Sequence, residues 1–380
     1  MTTLKNQIAS FFYYLAELSE VPLRYVLNDI FGRWMTVLTP NEYGNASSKT
    51  AEIFIRIGLG FLFILLIGPV IITSLLWVLL RFIGDIWLWS QQFLLFKGNY
   101  SGSGNNTFAT WNLASFLPPC TIVDGVAYSN ERLKQIGDQI KDFHFFCGQE
   151  VGGPEARFLS KHLQDNYMEF YSYIGKSHTP LLQSGLFFAS KEAVLNVDWY
   201  PYAKKTGRQA SIHRGFVVFE LQNYYVVVTH PDSAQTSAGI TTRNLEIQQL
   251  LGDIAEYKDK PIIFCADLNS DRYQNEPGYQ LLTAQFPDVI LNQYQTCNNC
   301  SDLTDHPYCP GADKIGGATN IACITDTDIL AYNRFNKSGK IECISIDFFG
   351  TNSTTFKVNL TGSAFFLDLT DHHLMKGEIS

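Results

Sequence analysis

Several short apolar runs in this sequence end in polar side chains that could bind a metal ion or transfer a proton. Runs of this kind are typical of buried strands, and strand ends meet at one rim of a sheet, so groups far apart in the chain can converge there. The residues, each with the run that it follows or ends, are Asn112 (FATWN), Glu150 (FFCGQE), His230 (VVVTH), Asp267 and Asn269 (IIFCADLN), Asp328 (TDTDIL), and Asp371 and His372 (LDLTDHH).

The composition of this set predicts a hard divalent cation. Its carboxylates would repel one another in a shared site without a cation, and a site rich in oxygen ligands suits Mg²⁺ or Mn²⁺ rather than zinc. Mg²⁺ binds through one or two carboxylates and keeps its other positions for water and a phosphate oxygen. The pattern therefore indicates phosphoester chemistry.

The elements that must position these residues follow from Phe108 onward. Short apolar runs recur with turn signals between them, and helical patterns intervene at NERLKQIGDQIKDF, PEARFLSKHLQD and TTRNLEIQQLLGDIAEY. Many strands with a few interspersed helices predict a mixed α/β sandwich, in which two sheets pack face to face and helices cover the outside. We expect residues 108–380 to form one catalytic domain.

The N-terminal part, residues 1–96, predicts a membrane-associated helical region. Residues 57–80 are uncharged and apolar, and as a helix they would extend for about 36 Å, enough to cross a hydrocarbon core of about 30 Å. Gly68 and Pro69 at the centre leave a re-entrant hairpin open as the alternative to a spanning helix. Residues 97–107 (KGNYSGSGNNT) are polar and glycine-rich and predict a linker.

Flanking segments of the N-terminal region admit two interpretations. Residues 9–38 mix aromatic and apolar side chains with scattered charge, and residues 85–96 carry Trp87 and Trp89 as candidate interfacial anchors. Both segments could lie at a membrane interface, or they could simply pack on each other.

The charge of the chain disfavours one class of partner, and the positions of its cysteines indicate their chemical state. The formal net charge is -8, and no Lys/Arg cluster is present, so nucleic acid is an unfavoured partner. Cys147, Cys265, Cys323 and Cys343 lie in or beside apolar runs, as expected of reduced buried thiols. The set Cys297, Cys300, His306 and Cys309 leaves open zinc, a disulfide or plain loop thiols.

The motifs TWN, QE, TH, ADLN and TDH, in this order across residues 107–380, resemble the endonuclease/exonuclease/phosphatase superfamily, the DNase I-like metal-dependent phosphoesterases. Within it, TWNLASFLPP, NERLKQIGDQI, CGQEV, QSGLFFAS, HRGFVVFEL and THPDSAQTSAGITTRNLEIQQL are similar to the neutral sphingomyelinases, particularly the membrane-anchored type-2 form. The resemblance implies a four-layer α/β/β/α sandwich behind an N-terminal membrane segment.

The resemblance also implies a ligand set and a phosphate-binding set. Glu150 would be the principal Mg²⁺ ligand, with Asn112 and Asp371 completing the shell directly or through water. Asp267 and Asn269 would position the attacking water and a phosphate oxygen. The alternative for Glu150 is a residue that caps a helix or turn.

Two histidines would handle protons in this scheme. His372 would be the general base with Asp328 orienting its imidazole, and His230 would donate to the phosphoryl group. His373 is the alternative base, but strand alternation points it to the opposite face from His372.

The chain departs from the family pattern at three places. Ala266 replaces the glycine of G-D-x-N, and Thr370 replaces the serine of S-D-H. Gln209 and Arg214 stand where the type-2 enzymes carry a regulatory acidic residue and lysine, so a lipid-controlled switch of that kind is not expected here.

The resemblance implies hydrolysis of sphingomyelin to ceramide and phosphocholine at a membrane, with the catalytic domain on the cytoplasmic side. Two alternatives stay open. One is another phosphoesterase of the superfamily, acting on phosphoinositides, lysophospholipids or nucleic acid. The other is a membrane-tethered interaction module without activity, against which the intact candidate residues argue.

Overall fold

A computed structural model describes residues 2–25, 49–87, 92–102, 104–115, 130–175, 183–204, 212–234, 236–270, 276–286, 347–351, 358–364 and 374–380. The chain divides into two compact units. The first comprises residues 1–91 and 115–129, and the second comprises residues 92–114 and 130–380.

The first unit contains helices α1 (Thr2–Tyr25) and α2 (Lys49–Trp87). Helix α2 continues through Pro69, and the hydroxyl of Thr73 donates to the Pro69 carbonyl at 2.9 Å. By length and composition, Gly60–Trp87 could cross a membrane, and its apolar side chains are largely exposed, as at Ile64 (67%) and Ile72 (68%). The helix is continuous across Gly68 and Pro69, and its length and composition make it a candidate membrane span.

A polar seam joins the two helices. The Tyr13 hydroxyl donates to Asp85, the Arg81 guanidinium lies 5.2 Å from the centre of the Tyr13 ring, and a Cβ at Gly84 would come within 2.8 Å of that ring. The absence of a side chain at Gly84 therefore lets the tyrosine ring pack directly against the α2 backbone.

The second unit is built on two sheets. A seven-stranded sheet has the order β1-β4-β5-β3-β2-β12-β11, and a five-stranded sheet has the order β10-β9-β8-β7-β6. The strands are β1 Leu94–Lys97, β2 Thr107–Ser115, β3 Phe145–Val151, β4 Glu169–Ser172, β5 Phe187–Ser190, β6 Asn196–Pro201, β7 Gly215–Glu220, β8 Tyr225–Thr229, β9 Ile262–Asp267, β10 Asp347–Thr351, β11 Val358–Ala364 and β12 Leu374–Ile379.

Apolar side chains form three layers in the second unit, one between the two sheets and one between each sheet and the helices on its outer face. Between the sheets, Phe145 and Phe188 of the larger sheet pack with Phe219 of the smaller one, and the Phe188 and Phe219 rings stack with their centroids 4.0 Å apart. This interface accounts for part of the unusually high aromatic content, which is 14% of the chain.

Helices cover both outer faces. Helices α3 (Asn130–Ile140) and α4 (Gly153–His162) pack on the seven-stranded sheet, and α5 (Ser237–Ile254) and α6 (Pro277–Gln285) pack on the five-stranded sheet. The architecture is the predicted α/β/β/α sandwich.

The second unit begins at Gln92, before the glycine-rich stretch. Strand β1 already pairs with β4, and the Gly98 and Asn99 amides donate to the carbonyls of Met168 and Gln164 at 2.8 and 2.6 Å. A Cβ at Gly98 would meet the Tyr167 carbonyl oxygen at 2.0 Å, so this close approach requires glycine. The first residues of 97–107 therefore lie along the sandwich.

The cysteine predictions are tested only where the structure describes them. Cys147 on β3 and Cys265 on β9 are free, fully buried thiols of the inter-sheet core. Burial raises the pKa of the Cys147 thiol well above its ordinary value. Cys297, Cys300, His306, Cys309, Cys323 and Cys343 lie outside the described residues.

Candidate active site

Five of the predicted site residues lie on β2, β3 and β9 and on the segments that follow β8 and β9. Asn112 is on β2, Glu150 is near the end of β3, His230 directly follows β8, Asp267 ends β9 and Asn269 follows it. Strands β8 and β9 are parallel neighbours, with Thr229 paired to Ala266, so their ends bring His230 and Asp267 side by side.

Asp267 is the centre of the group. It is 1% exposed, accepts a hydrogen bond from the Asn112 amide at 2.8 Å, and accepts another from the Asn269 backbone N–H at 2.9 Å. The His230 Nε2 atom lies 3.4 Å from the Asp267 Oδ2 atom. Asn112 and Asp267 are 155 residues apart in the chain, so only the packing of the two sheets makes this contact.

Glu150 joins the group through the same histidine. Its Oε1 atom lies 3.7 Å from the His230 Nε2 atom, and its side chain is 25% exposed where those of His230 and Asp267 are 3% and 1% exposed. The carboxylate therefore stands at the solvent side of a buried polar cluster, where an ion or a substrate could reach it.

Glu150 and Asn269 hold strained backbones. Their φ angles are +54° and +52°, in the left-handed region that residues with a Cβ seldom adopt. Such conformations cost about 1–3 kcal/mol each and concentrate at functional sites. Of the four described non-glycine residues with such a φ angle, two are the predicted metal ligand and the predicted phosphate-binding residue, and the others are Gln92 and Tyr173.

Arg214 lies beside this cluster. It is 5% exposed, and its Nη1 atom donates to the carbonyl of His230 at 2.7 Å and to the carbonyl of Pro231. Burial lowers the pKa of the Arg214 guanidinium. The nearby carboxylates of Glu246, Glu150, Asp232 and Asp267 act in the opposite direction and raise this pKa. The sequence analysis predicted for Arg214 only that it lacks the regulatory role of the lysine at the matching position of the type-2 enzymes.

Glu246 on α5 is another buried charged residue that the sequence did not reveal. It is 1% exposed, and its Oε2 atom accepts from the Asp232 backbone N–H at 2.8 Å. Burial raises the pKa of Glu246 to about 7, against the opposing effect of Arg214 and Arg243. The spacing of Arg243 and Glu246 on a helix is usual for solvent-exposed ion pairs, so sequence pattern gave no sign of burial.

Glu246 predicts a measurable dependence of stability on pH. Because its pKa is raised in the folded state, the folded protein binds this proton more tightly than the unfolded chain does, and stability is lost as pH rises from about 4.5 to about 7. The loss attributable to this group is up to about 3 kcal/mol. Urea unfolding of the wild type and of Glu246→Gln between pH 4.5 and 8 should show that difference, and parallel pH curves would contradict it.

The donor set of this site fits a hard divalent cation. Glu150 offers a partly exposed carboxylate, and Asn112 adds an amide oxygen on a side chain that is held by its hydrogen bond to Asp267. Among the described residues, no three His, Cys, Asp or Glu side chains form a complete metal-binding group. The predicted set includes Asn112, which is an amide, and Asp371, which lies outside the described ranges.

Three predicted residues are not described by the structure: Asp328, Asp371 and His372. Strand β12 begins at Leu374, two residues after His372, and is antiparallel to β2, with Met375 paired to Thr110. The ligand and base roles of these three residues stay predictions.

Comparison with known proteins found likeness at the level of structure. No protein-family model and no curated protein matches the sequence. The structure is similar to sphingomyelinase C from Streptomyces griseocarneus, with a TM-score of 0.52 and 14% identity over 73% of this chain and 99% of that one.

Two further solved structures give similar values. SmcL has a TM-score of 0.51 and 15% identity, over 73% of this chain and 99% of its own. Beta toxin from Staphylococcus aureus, in a mutant form with bound magnesium ions, has a TM-score of 0.50 and 14% identity, over 72% of this chain and 98% of its own. At such identities, the likeness shows a shared fold.

Proposed function

We propose that this chain, whose fold is that of the DNase I-like superfamily, is a Mg²⁺-dependent phosphodiesterase that hydrolyses sphingomyelin to ceramide and phosphocholine. The observation that carries the proposal is the convergence of Glu150, His230 and Asp267, with the imidazole Nε2 atom 3.7 and 3.4 Å from the two carboxylates. Asn112 and Asn269, predicted for the same site, are hydrogen-bonded to Asp267.

Glu150, Asn112 and Asp371 are the residues that would hold the cation. When bound, Mg²⁺ would neutralise the charge that builds on the phosphoryl oxygens and on the departing alkoxide. Mn²⁺ satisfies the same ligand preferences.

His230 and Asn269 would act on the phosphoryl group. His230 in its protonated form is stabilised by the adjacent carboxylates of Asp267 and Glu150 and can donate a hydrogen bond as negative charge develops. The left-handed backbone of Asn269 turns the chain back after β9, where its amide donates to the Pro231 carbonyl at 3.2 Å. The two residues are thereby held in one structural frame.

Proton transfer from the attacking water is assigned to His372, with Asp328 orienting it. Asp267 has both carboxylate oxygens engaged, one by the Asn112 side-chain amide and one by the Asn269 backbone N–H, which favours a role in positioning the water over one as the base. This assignment rests on the sequence motif.

Sphingomyelin is the preferred substrate for two reasons. One of the similar folds is named a sphingomyelinase, and helix α2 supplies a segment long and apolar enough to anchor the chain in a bilayer. Tethering to a membrane raises the effective concentration of a lipid substrate without any new contact. We place the catalytic unit on the cytoplasmic side, consistent with the two buried free thiols.

Another phosphoesterase activity of the superfamily is the second candidate. The site could also hydrolyse a phosphoinositide, a lysophospholipid or a nucleic acid, because none of its described residues, Asn112, Glu150, His230, Asp267 and Asn269, is specific for choline. A net charge of -8 disfavours the polyanionic substrates among these.

The test is a substrate panel with the full chain in detergent. Sphingomyelin, phosphatidylcholine, a phosphoinositide and duplex DNA are incubated side by side with Mg²⁺ or with excess EDTA, and released phosphocholine, inositol phosphates and nucleotides are measured. We expect hydrolysis of sphingomyelin that EDTA abolishes and Mg²⁺ restores. Activity on another substrate alone would select the second candidate, and hydrolysis that survives EDTA would contradict the metal role.

A further inference from the structure

The loop that carries His230, residues 230–234, is held by buried charged side chains. Arg214 donates to the carbonyls of His230 and Pro231, and Asn269 donates to the Pro231 carbonyl. This part of the loop is therefore bonded from the residue that precedes strand β7 and from the segment after β9.

Helix α5 holds the next residue of the loop, Asp232, by both of its backbone polar groups. The Glu246 Oε2 atom accepts from the Asp232 N–H at 2.8 Å, and the Arg243 Nη1 atom donates to the Asp232 carbonyl at 2.7 Å. The Asp232 side chain then caps the Ala234 N–H at 2.8 Å, which turns the chain toward α5. The peptide groups on either side of Asp232 are thereby fixed to one face of one helix.

The side chains of Arg243 and Glu246 hold Asp232 rigidly because both are buried and Arg243 is itself bound to Glu276. Arg243 is 0% and Glu246 1% exposed, and the Arg243 guanidinium makes two parallel bonds to Glu276, at 3.0 and 2.7 Å. The Ser270 hydroxyl also donates to Glu276, so the segment that follows Asn269 is joined to the same frame. Because the Arg243 guanidinium and the Glu276 carboxylate form two parallel hydrogen bonds, the Arg243 side chain is held in one conformation. Long charged side chains at a surface keep many conformations instead.

We propose that Glu246 and Arg243 are positioning residues for the reaction: by gripping Asp232 they set where the His230 imidazole stands against Asp267 and Glu150. The inference rests on the proposed function, because it concerns the same site. The hydrogen bonds of both residues go to Asp232, Ala234 and Glu276, and none goes to the described site residues Glu150, His230 or Asp267. Their effect passes through two backbone peptide groups, and a displacement of about 1 Å at a catalytic group can lower a rate about 10²-fold.

Two conservative variants separate the hydrogen bond from the charge. Glu246→Asp keeps the carboxylate beside Arg214 and Arg243 but shortens the side chain by one methylene, so it no longer reaches the Asp232 N–H. Glu246→Gln keeps the reach and the acceptor oxygen but removes the charge. We expect kcat to fall about 10- to 100-fold in Glu246→Asp with KM unchanged, and to stay within about three-fold of the wild type in Glu246→Gln.

A double-substitution cycle tests whether the effect passes through His230. Glu246→Asp is combined with His230→Asn, and we expect the pair to be no slower than His230→Asn alone, since the positioned group is already gone. A further loss in the double variant would overturn the proposal. So would loss of activity in Glu246→Gln with retention in Glu246→Asp, because the charge alone would then be what matters.

A measurement without substrate keeps this inference separate from the proposed function. Hydrogen exchange at the Asp232 amide should be at least about ten-fold faster in Glu246→Asp than in Glu246→Gln, because only the latter retains the acceptor. Equal exchange rates at the Asp232 amide in the two variants would show that the Glu246 side chain does not hold this N–H group. If the wild type hydrolyses no member of the substrate panel, the proposed function fails while this exchange result still decides the geometry.

Discussion

Glu150→Gln should lower kcat/KM for Mg²⁺-dependent hydrolysis about 10³-fold, the largest effect that we expect of a single substitution in this chain. The change keeps the shape of the side chain and removes its negative charge, so a divalent cation loses its principal ligand while the fold is retained. Glutamine has nearly the same shape and the side chain is 25% exposed, so the substitution neither opens a cavity nor buries a new polar group completely. Thermal unfolding of the variant should match the wild type within about 2 °C.

Glu220→Gln is the matched control. Glu220 lies at the other end of β7 from Gly215, about 17 Å away along the strand, and pairs with Lys260 at 2.6 Å. Its substitution should leave kcat/KM unchanged. Calorimetric titration of Mg²⁺ should show binding to Glu220→Gln and not to Glu150→Gln, and equal Mg²⁺ affinity in the two variants would remove Glu150 from the ligand set.

Asp267→Asn should have the second largest effect, a fall in kcat of about 10²- to 10³-fold. The amide places an N–H₂ group against either the Asn112 amide or the Asn269 backbone N–H, so one donor loses its acceptor. The charge that stabilises protonated His230 at 3.4 Å is also lost. Unlike the Glu150 variant, this one should also be destabilised, by about 1–3 kcal/mol, because the affected groups are buried.

Asp259→Asn provides the comparison for this prediction. Asp259 precedes β9 at the end opposite to Asp267 and accepts a hydrogen bond from the Tyr225 hydroxyl at 2.8 Å. Urea unfolding and initial rates are measured on both variants. A kcat for Asp267→Asn within about three-fold of that for Asp259→Asn would exclude Asp267 from the reaction.

Strand-level features were accessible from sequence because they depend on local periodicity. The runs FFCGQE, VVVTH and IIFCADLN are apolar and bounded by turn residues, and the structure places a strand at each, with Glu150, His230 and Asp267 at its end or directly after it. The many strand-like runs with a few helical patterns between them predicted the two-sheet sandwich, and the order of the motifs carried the family resemblance. The uncharged apolar run over residues 57–80 marked a long membrane-type segment, but could not decide whether Pro69 bends it.

The buried ionic frame behind the site was not accessible from sequence. Arg214, Arg243 and Glu246 belong to residue types that are almost always exposed, and Arg243 and Glu246 have a spacing found on most solvent-facing helices. Their burial depends on α5 packing against the five-stranded sheet so that one helix face meets the loop after β8. A contact between elements distant in the chain leaves no local pattern.

The sequence by itself determined which residues could serve a metal-dependent phosphoester reaction, since residue type and position at strand ends are local properties. Only the tertiary structure decided that Asn112 bonds to Asp267 across 155 residues, that the His230 imidazole lies between two carboxylates, and that Glu150 and Asn269 adopt left-handed backbones. The physical reason is that distances between strands are set by how the apolar faces of two sheets and four helices pack. That packing is a property of the whole sandwich rather than of any segment.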